Sequence, residues 1–311
     1  MNIWEFIGKP ADWRPREKTV QKVKHFDEVP ASKKKYPMFA QVKKDGVYCL
    51  IVTKADGTKG YFGRTGLQLT SMENVPPINS PKSSVVITEL CCDLCSLEQL
   101  SGVVNPNRVN ELDEKQQEIA NNMYFAVHDL LYPAALINGS TDCNYSNRHF
   151  EASMYMPKEL LPYELVHNEK EAKAFKDKCI AAGEEGAVFK QETGWEAGHK
   201  GWRMMKDVRE VRYDLLCTGW EEGSGKYAGK VANLLFQWEG KPDAVKAMLG
   251  IGYTHDHATL LYQAVTGVSS ADGLNPVGKI FEVYGLSDSS KGRIRLPKVG
   301  QYRHDKEQPD S

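Results

Sequence analysis

From residue 37 onward, short apolar runs alternate with short polar turns. Val47 to Thr53, Val85 to Leu90 and Tyr124 to Leu131 are rich in β-branched and aromatic residues and have the length of single strands. The turn Ala55-Asp56-Gly57 separates the first run from Gly60 to Phe62, a spacing typical of a β-hairpin. The pattern therefore predicts a first domain built on antiparallel strands.

Helical spacing interrupts these strands at two places. Residues 111–122 look helical, and Glu169 to Ala182 is amphipathic, with Glu/Lys pairs at helical spacing and Gly183 as its stop. Gly186 to Lys190 and Gly201 to Lys206 return to the strand pattern. A mixed α+β fold is therefore expected for this part of the chain.

Near residue 208 the pattern changes to that of a small β-barrel. Its predicted strands are Val211 to Trp220, Val231 to Trp238 and Lys279 to Gly285, with residues 221–226 as the first turn and residues 242–265 partly helical. We place the domain boundary at 207–211, which gives a first domain of residues 1–207 and a second of residues 208–311. Residues 1–36, which are polar, basic and rich in proline, are interpreted as an N-terminal arm.

Charge is balanced over the whole chain but clustered near its two ends. The 311 residues include 40 Lys and Arg against 41 Asp and Glu, so the average charge does not indicate nucleic-acid binding. The basic clusters are Arg14, Arg16, Lys18, Lys22, Lys24 and Lys33 to Lys35, then Lys291, Arg293, Arg295, Lys298, Arg303 and Lys306. Such clusters are usually solvated faces, but two of them flanking an active site favour a track for a phosphate backbone.

The cysteines and the N-terminus exclude several classes of protein. Cys91, Cys92 and Cys95 lie close together, but no second Cys or His pair follows at zinc-finger spacing. This favours buried thiols in a reducing compartment. The first ten residues contain no apolar signal core, and no run approaches the length of a membrane span. We therefore expect a soluble, cytoplasmic protein that does not contact a membrane.

The candidate chemistry begins with a lysine at the end of an apolar run. Phe39 to Val42 leads into Lys43, which is followed by Asp45 and Gly46. A strand would hold Lys43 still at a tight turn, and burial or a nearby cation would lower its pKa and make the amine nucleophilic. Asp45 can hold a sugar hydroxyl, and Gly46 would let the backbone approach a ligand. Taken alone, the same residues equally describe a surface β-turn.

Other polar residues follow Lys43 in an order that suits nucleotidyl transfer. They are Arg64, Glu89, Glu185 with Gly186, Lys190, Lys206, and the C-terminal group Arg303, Asp305 and Lys306. The reaction needs a nucleophile, cations that hold phosphates and carboxylates that hold a divalent metal. Arginine offers a fork for two phosphate oxygens. Each residue has a simpler interpretation as a strand-end, turn or tail charge, and only their order favours the catalytic one.

In these motifs the chain resembles the minimal two-domain ATP-dependent DNA ligases, which belong to the covalent nucleotidyltransferase superfamily. The matching segments are KKDG (43–46), GRTG (63–66), ITEL (87–90), FAVHDLL (125–131), EGAVFK (185–190), GWRMMK (201–206) and RLPKVGQYRHDK (295–306). The resemblance implies an α+β nucleotidyltransferase domain with antiparallel sheets and flanking helices, followed by an OB-fold barrel.

The resemblance also implies a set of roles in a three-step sealing reaction. Lys43 would become a lysyl-AMP, pass AMP to the 5′-phosphate of a nick, and release it when the 3′-hydroxyl attacks. Gln41, Val42, Gly46 and His128 would lie against the nucleotide, Asp45 and Glu89 at its ribose, and Lys190 and Lys206 at its α-phosphate. Glu89 and Glu185 would hold Mg²⁺, with Mn²⁺ as an alternative. Arg64 would meet the nick 5′-phosphate, while Arg303, Asp305 and Lys306 would act in the first step, when the OB domain closes over ATP by a hinge at 207–211.

The implied partners are ATP and nicked duplex DNA, with a monomeric enzyme and no obligate protein partner. In the cell this would mean a role in DNA replication, repair or recombination.

Three positions depart from the family pattern. Tyr48 stands where an arginine is frequent, Met204 replaces the first lysine of the Trp-x-Lys-x-Lys motif, and His128 replaces an aromatic residue that stacks on adenine. Histidine stacks less strongly and with a pH dependence. Arg203 is adjacent to Met204, but on a strand it should point to the other face.

Two alternatives remain open at the level of sequence. An RNA ligase or a capping nucleotidyltransferase would share the lysine chemistry, although the C-terminal Arg-x-Asp-Lys and the barrel favour a DNA ligase. A non-catalytic OB-fold protein could bind nucleic acid without chemistry, but it would not need Lys43 or the two glutamates.

Overall fold

The computed structural model describes residues 1–10, 12–13, 19–250, 252–268, 272–288 and 294–310. The chain divides into two compact units, Met1–Val208 and Arg209–Ser311. Several basic residues counted in the terminal clusters lie outside the described residues, namely Arg14, Arg16, Lys18, Lys291 and Arg293. Among the described helices, none has the length and apolar character that a membrane span requires.

The first unit alternates strands and helices along the chain. In order they are α1 (Ile3–Phe6), β1 (Lys22–His25), β2 (Met38–Lys43), β3 (Val47–Thr53), β4 (Lys59–Phe62), β5 (Ser84–Cys91), α2 (Leu97–Val103), α3 (Glu114–Asn121), β6 (Tyr124–Leu131), α4 (Pro133–Asn138), β7 (Ser140–Thr141), α5 (Tyr145–Tyr155), β8 (Glu164–Val166), α6 (Glu169–Ala181), β9 (Gly186–Lys190), β10 (Trp195–Glu196) and β11 (Lys200–Val208). The strands form a five-stranded sheet in the order β1-β11-β9-β2-β8, a four-stranded sheet in the order β4-β3-β5-β6, and the pair β10-β7.

The four-stranded sheet is covered on both faces. Buried side chains of α2, α3 and α5 pack on one face, and those of α1 and α4 pack on the other. Strands buried on both faces have few polar positions, which explains the continuous apolar run in β5. The hairpin between β3 and β4 turns at Gly57, whose φ of +93° suits glycine.

The five-stranded sheet has one buried face and one polar face. Met38 and Ala40 of β2 join Phe189 and Met205 in a core that packs against α6. Because side chains alternate along a strand, Gln41 and Lys43 point to the opposite face. This alternation places the polar candidates of β2 in a cleft.

The helices begin where side chains cap them. Asp113 accepts a hydrogen bond from the Gln116 backbone amide and starts α3, so this helix begins later than the predicted 111–122. Asn168 caps α6, and Gly183 with φ of +87° follows its end.

The N-terminal residues do not form a separate arm. Ile3, Trp4 and Phe6 are fully or almost fully buried, and β1 pairs in parallel with β11. The predicted short helical and extended pieces are present, but they are built into the core and the sheet of the first unit.

The second unit is a closed five-stranded barrel. Its elements are β12 (Glu210–Glu222), β13 (Val231–Trp238), β14 (Lys241–Leu249), α7 (His255–Val265), β15 (Ile280–Asp288) and β16 (Ile294–Tyr302), with the barrel order β12-β13-β14-β16-β15. Phe236, Leu234, Val283 and Val299 fill its core. The predicted α+β class with a barrel is therefore confirmed, whereas the interpretation of 242–265 as partly helical missed the strand β14.

Candidate active site

A cleft of about 780 Å³ is lined by residues of both sheets of the first unit. The five-stranded sheet contributes Gln41, Lys43, Val188, Lys190 and Met204, and the four-stranded sheet contributes Tyr48, Glu89 and His128. Arg64 and residues 19–23 complete the wall. Segments that are far apart in sequence thus deliver half of the predicted site residues to one cavity, namely Gln41, Val42, Lys43, Arg64, Glu89, His128 and Lys190.

Lys43 lies at the end of β2 and makes an ion pair with Glu185. Its Nζ atom is 2.5 Å from Glu185 Oε2. The adjacent Lys44 and Glu184 form a second pair beside the first. Gly186 permits this arrangement, because a Cβ atom there would lie 2.3 Å from the carbonyl oxygen of Asp207 on β11.

Glu89 on β5 faces the charged groups around Lys43. Burial raises the pKa of Glu89 to about 7. Lys43 and Arg64 oppose this rise, while the carboxylates of Glu185 and Asp45 add to it. Lys43, Arg64 and Glu89 line the same cleft and Glu185 is paired with Lys43, so these four residues form one charged cluster, with Asp45 as a further carboxylate.

Gly46 allows close packing of the turn that follows Lys43. A Cβ atom at Gly46 would lie 2.4 Å from the carbonyl oxygen of Leu90 and 2.8 Å from Cγ of Glu89. The glycine therefore lets this turn pack against the strand that carries Glu89.

Gln41 offers an unused acceptor inside the cleft. Its Nε2 atom donates to the carbonyl oxygen of Leu161 at 2.8 Å. Its Oε1 atom is buried and has no hydrogen-bond partner among the described residues. A buried acceptor without a partner is costly, so a ligand that donates a hydrogen bond at this point would be favoured.

Lys190 and His128 are buried together at the base of the cleft. Lys190 Nζ donates to the carbonyl oxygen of His128 at 2.6 Å, and burial lowers the pKa of Lys190 to about 7. Burial, with the nearby Lys190 and Lys43, lowers the pKa of His128 to about 3 despite the opposing carboxylate of Asp129. The ring of His128 is therefore neutral at physiological pH, and the expected pH dependence of stacking is absent there.

The segment around Lys206 places its residues on alternate faces, as expected for a strand. Met204 lines the cleft opposite Lys190 in the sheet register. Arg203 points elsewhere and bonds Thr193 and Glu196. Lys206 is half-buried and pairs in register with Val188, and it is not among the described residues that line the cleft.

Tyr48 occupies the cleft wall where an arginine was expected. Its ring centre lies 5.4 Å from the Arg64 guanidinium carbon. The neighbouring strand places Glu89 in register with Tyr48. The phenol therefore contributes a cation–π contact to Arg64.

The C-terminal candidates belong to the second unit, where they surround Asp214 of β12. Arg303 makes hydrogen bonds to both carboxylate oxygens of Asp214, at 2.8 and 2.6 Å, and also bonds Asp305. Lys306 reaches Asp214 at 2.8 Å and Asp310 at 3.2 Å. Asp214 is buried, so this network fixes the C-terminal segment on the barrel.

Two residues near the cleft were missed from the sequence. Arg148 on α5 makes a bidentate contact with Asp129 of β6, and Tyr145 lies against Lys190. Neither residue had a positive indication in the sequence, because Arg148 becomes buried on α5 only in the folded unit. Its partner is chosen by tertiary contacts that no local pattern encodes.

The fold combines a two-sheet first unit, which has a lysine in its cleft, with a closed five-stranded barrel, and it is similar to solved structures that include a DNA ligase. No family model matches the chain. It is similar to the solved structure Pmar-Lig_Pre, with 16% identity over 93% of this chain and 67% of that one and a TM-score of 0.69. It is also similar to a Lig E DNA ligase structure, with 15% identity, coverage of 91% and 98%, and a TM-score of 0.61.

One curated relative shares sequence as well. A probable DNA ligase of Mycolicibacterium vanbaalenii is 31% identical over 118 residues, which are 36% of this chain. The match spans only 21% of the relative's length.

Proposed function

We propose that the protein is an ATP-dependent DNA ligase that seals nicks with a 5′-phosphate and a 3′-hydroxyl. The observation that carries this proposal is the cluster in the cleft. Lys43 is paired with Glu185 at 2.5 Å, and Glu89, Asp45 and Arg64 interact with the same group of charges. A surface turn would not bring the three distant segments that carry Arg64, Glu89 and Glu185 around one lysine.

The reaction would begin at Lys43. Its Nζ forms a bond to the α-phosphorus of ATP, while the bond to the pyrophosphate oxygen breaks. AMP then moves to the 5′-phosphate of the nick, and the 3′-hydroxyl attacks that phosphate and releases AMP. Arg64 would hold the 5′-phosphate with its fork, and Asp45 and Glu89 would hold the ribose.

The cleft fits an adenosine nucleotide. The partnerless Gln41 Oε1 would accept a hydrogen bond from the exocyclic amine of adenine. Guanine carries an oxygen at the corresponding position and would leave two acceptors facing each other. The neutral ring of His128 would stack on the base, with Val42 and Gly46 close to the nucleotide.

The phosphate end of the nucleotide would meet two lysines. Lys190 lines the cleft directly. Lys206 of β11 and Gln41 of β2 both pair in register with Val188 of β9, the strand between them. In the first step, Arg303, Asp305 and Lys306 of the barrel would act on ATP. For this, Arg303 and Lys306 would exchange their bonds to Asp214 for bonds to phosphate, while Asp305 would stay paired with Arg303.

The carboxylates fit a magnesium ion, with manganese as an alternative. The carboxylate of Glu185 contributes to the raised pKa of Glu89, although no three His, Cys, Asp or Glu side chains converge on one point among the described residues. Mg²⁺ is commonly bound by one or two carboxylates together with substrate phosphates, so two glutamates suffice. When bound, the ion neutralises charge on the transferring phosphate.

The test is transfer of label from α-labelled ATP to the protein in the presence of Mg²⁺. We expect an acid-labile label on the wild type and on Lys44→Ala, and none on Lys43→Ala. Lys44 is the matched control, because it precedes the same Asp-Gly turn and also makes an ion pair with a glutamate. If wild-type protein that is free of bound nucleotide acquires no label, the proposed enzymatic activity is refuted.

A second assay separates DNA from RNA as the substrate. We expect a nick in duplex DNA to be sealed faster than the same nick in duplex RNA, by an enzyme that elutes as a monomer. The reverse preference would identify an RNA ligase.

A further inference from the structure

Lys190 Nζ lies in a buried cage formed by β6 and α5. It is 2.6 Å from the carbonyl oxygen of His128, 3.3 Å from Tyr145 Oη and 4.4 Å from the centre of the Tyr145 ring. An ammonium has three N–H donors. Two protein oxygens therefore leave one donor for a ligand in the cleft that Lys190 lines.

Tyr145 is fixed in position by its own contacts. Only 1% of the residue is exposed, and its hydroxyl donates to the same His128 carbonyl at 3.2 Å. Its ring packs edge-on against Phe39 at 5.1 Å and tilted against His149 at 5.7 Å. Because the hydroxyl proton is engaged, the Oη lone pairs are available to Lys190.

We propose that Tyr145 is a positioning residue that keeps the Lys190 ammonium charged and directs it at the α-phosphate of ATP, an inference that rests on the proposed ligase function. Tyr145 itself does not touch the nucleotide. It acts through Lys190, by an acceptor oxygen and by the negative face of its ring.

The groups that face Lys190 make this support necessary. Burial lowers the pKa of Lys190 to about 7, with Arg148 adding to the fall and Asp129 opposing it. His128 and His149 both have lowered pKa values and are neutral near pH 7. Lys190 is therefore mostly charged below pH 7 and loses its charge above it. The contact with Tyr145 favours the charged form.

The test is the second-order rate constant for formation of lysyl-AMP from ATP, measured from pH 6 to pH 8.5. Tyr145→Phe keeps the ring and removes the acceptor. We expect the pKa of Lys190 to fall by about one unit, the effect of one weak hydrogen bond to a charged group. The variant should then be within about twofold of wild type at pH 6 and about tenfold slower at pH 8.5.

Tyr163→Phe is the matched control. Tyr163 packs edge-on against the same Phe39 and His149, at 4.8 and 4.7 Å, but it makes no contact with Lys190 in the described structure. We expect it to follow the wild-type profile at every pH. The ratio of the rate constants at two pH values, measured on one preparation, also does not depend on the fraction of the protein that is folded.

A second variant tests whether loss of the Lys190 charge causes the expected fall in the rate of lysyl-AMP formation above pH 7. Arginine stays charged throughout this range, so the rate of Lys190→Arg should lack the fall above pH 7 that we expect for the wild type. The role of Tyr145 would be overturned if the fall in rate above pH 7 persisted in Lys190→Arg. It would also be overturned if the ratio of the Tyr145→Phe rate constant to the wild-type rate constant did not change with pH. Absence of label on the wild type would instead overturn the ligase function, and this proposal with it.

Discussion

Breaking the buried ion pair between Asp129 and Arg148 from one side should cost the first unit several kcal/mol. Each residue is 5% exposed, and the guanidinium meets the two carboxylate oxygens at 2.8 and 3.0 Å. Arg148→Met removes one partner and leaves a buried carboxylate supported mainly by the Leu130 amide at 2.9 Å. Breaking one side of such a pair costs about 3–5 kcal/mol. For a unit of this size the thermal midpoint should fall by on the order of 10 °C.

The design separates burial from charge pairing. Lys178→Met is the control, because Lys178 pairs with Glu164 at 2.5 Å but its side chain is 69% exposed. Exposed pairs contribute roughly 0–1 kcal/mol, so this midpoint should barely move. The double variant Asp129→Leu with Arg148→Met should be less destabilised than Arg148→Met alone, since no charge is left buried. Thermal unfolding followed by circular dichroism measures all three. A loss below about 1 kcal/mol in Arg148→Met, or a double variant at least as unstable as Arg148→Met alone, would refute the reasoning.

Three further outcomes follow from the cleft. Gln41→Leu should raise the KM for ATP about tenfold in the labelling assay, since a lost hydrogen bond costs about 1.5 kcal/mol, and it should leave the KM for GTP unchanged. Equal effects on both nucleotides would contradict the contact of Gln41 with adenine. Gly46→Ala should slow lysyl-AMP formation at least about tenfold, because its Cβ would lie 2.4 Å from the Leu90 carbonyl oxygen, and a rate equal to wild type would show that the turn is free to move. The ratio of the adenosine affinities of wild type and His128→Phe, measured by calorimetry, should stay constant from pH 5.5 to 8, because the pKa of His128 is about 3. A ratio that changes tenfold would mean that the histidine titrates in this range.

The strands were predicted best where local pattern and tertiary burial agree. The observed bounds of β3, β6 and β9 equal the predicted ones, because their apolar runs end at polar turns. Residues 241–249 were missed because Lys241, Pro242 and Asp243 obscure a strand whose inward positions are only Val245 and Ala247. The N-terminal residues were misread for another reason: β1 acquires its partner from residues near 200, and no local signal encodes such pairing.

The site divides in the same way. The order of motifs identified the residues that gather around Lys43, since the chemistry restricts their type. The packing of Gly46 against β5 was not predicted, because only the folded structure shows how close β5 lies to this turn. Tyr145 and Arg148 were invisible, because a buried polar residue in a helix is read as part of a solvated face unless its partner is known. The functions of Arg303, Asp305 and Lys306 stay predictions.

The parallel pairing of β1 with β11 has a consequence for how the protein is made. Lys22 lies in register with Lys200, and the residues just before β1 line the cleft. One wall of the cleft is thus built from the first and the last parts of the first unit, a contact of very high sequence separation. During synthesis this wall cannot form until almost the whole unit has left the ribosome. A chain interrupted before β11 would leave β1 and β9 without the strand that joins them, so no such nascent fragment could carry a finished cleft.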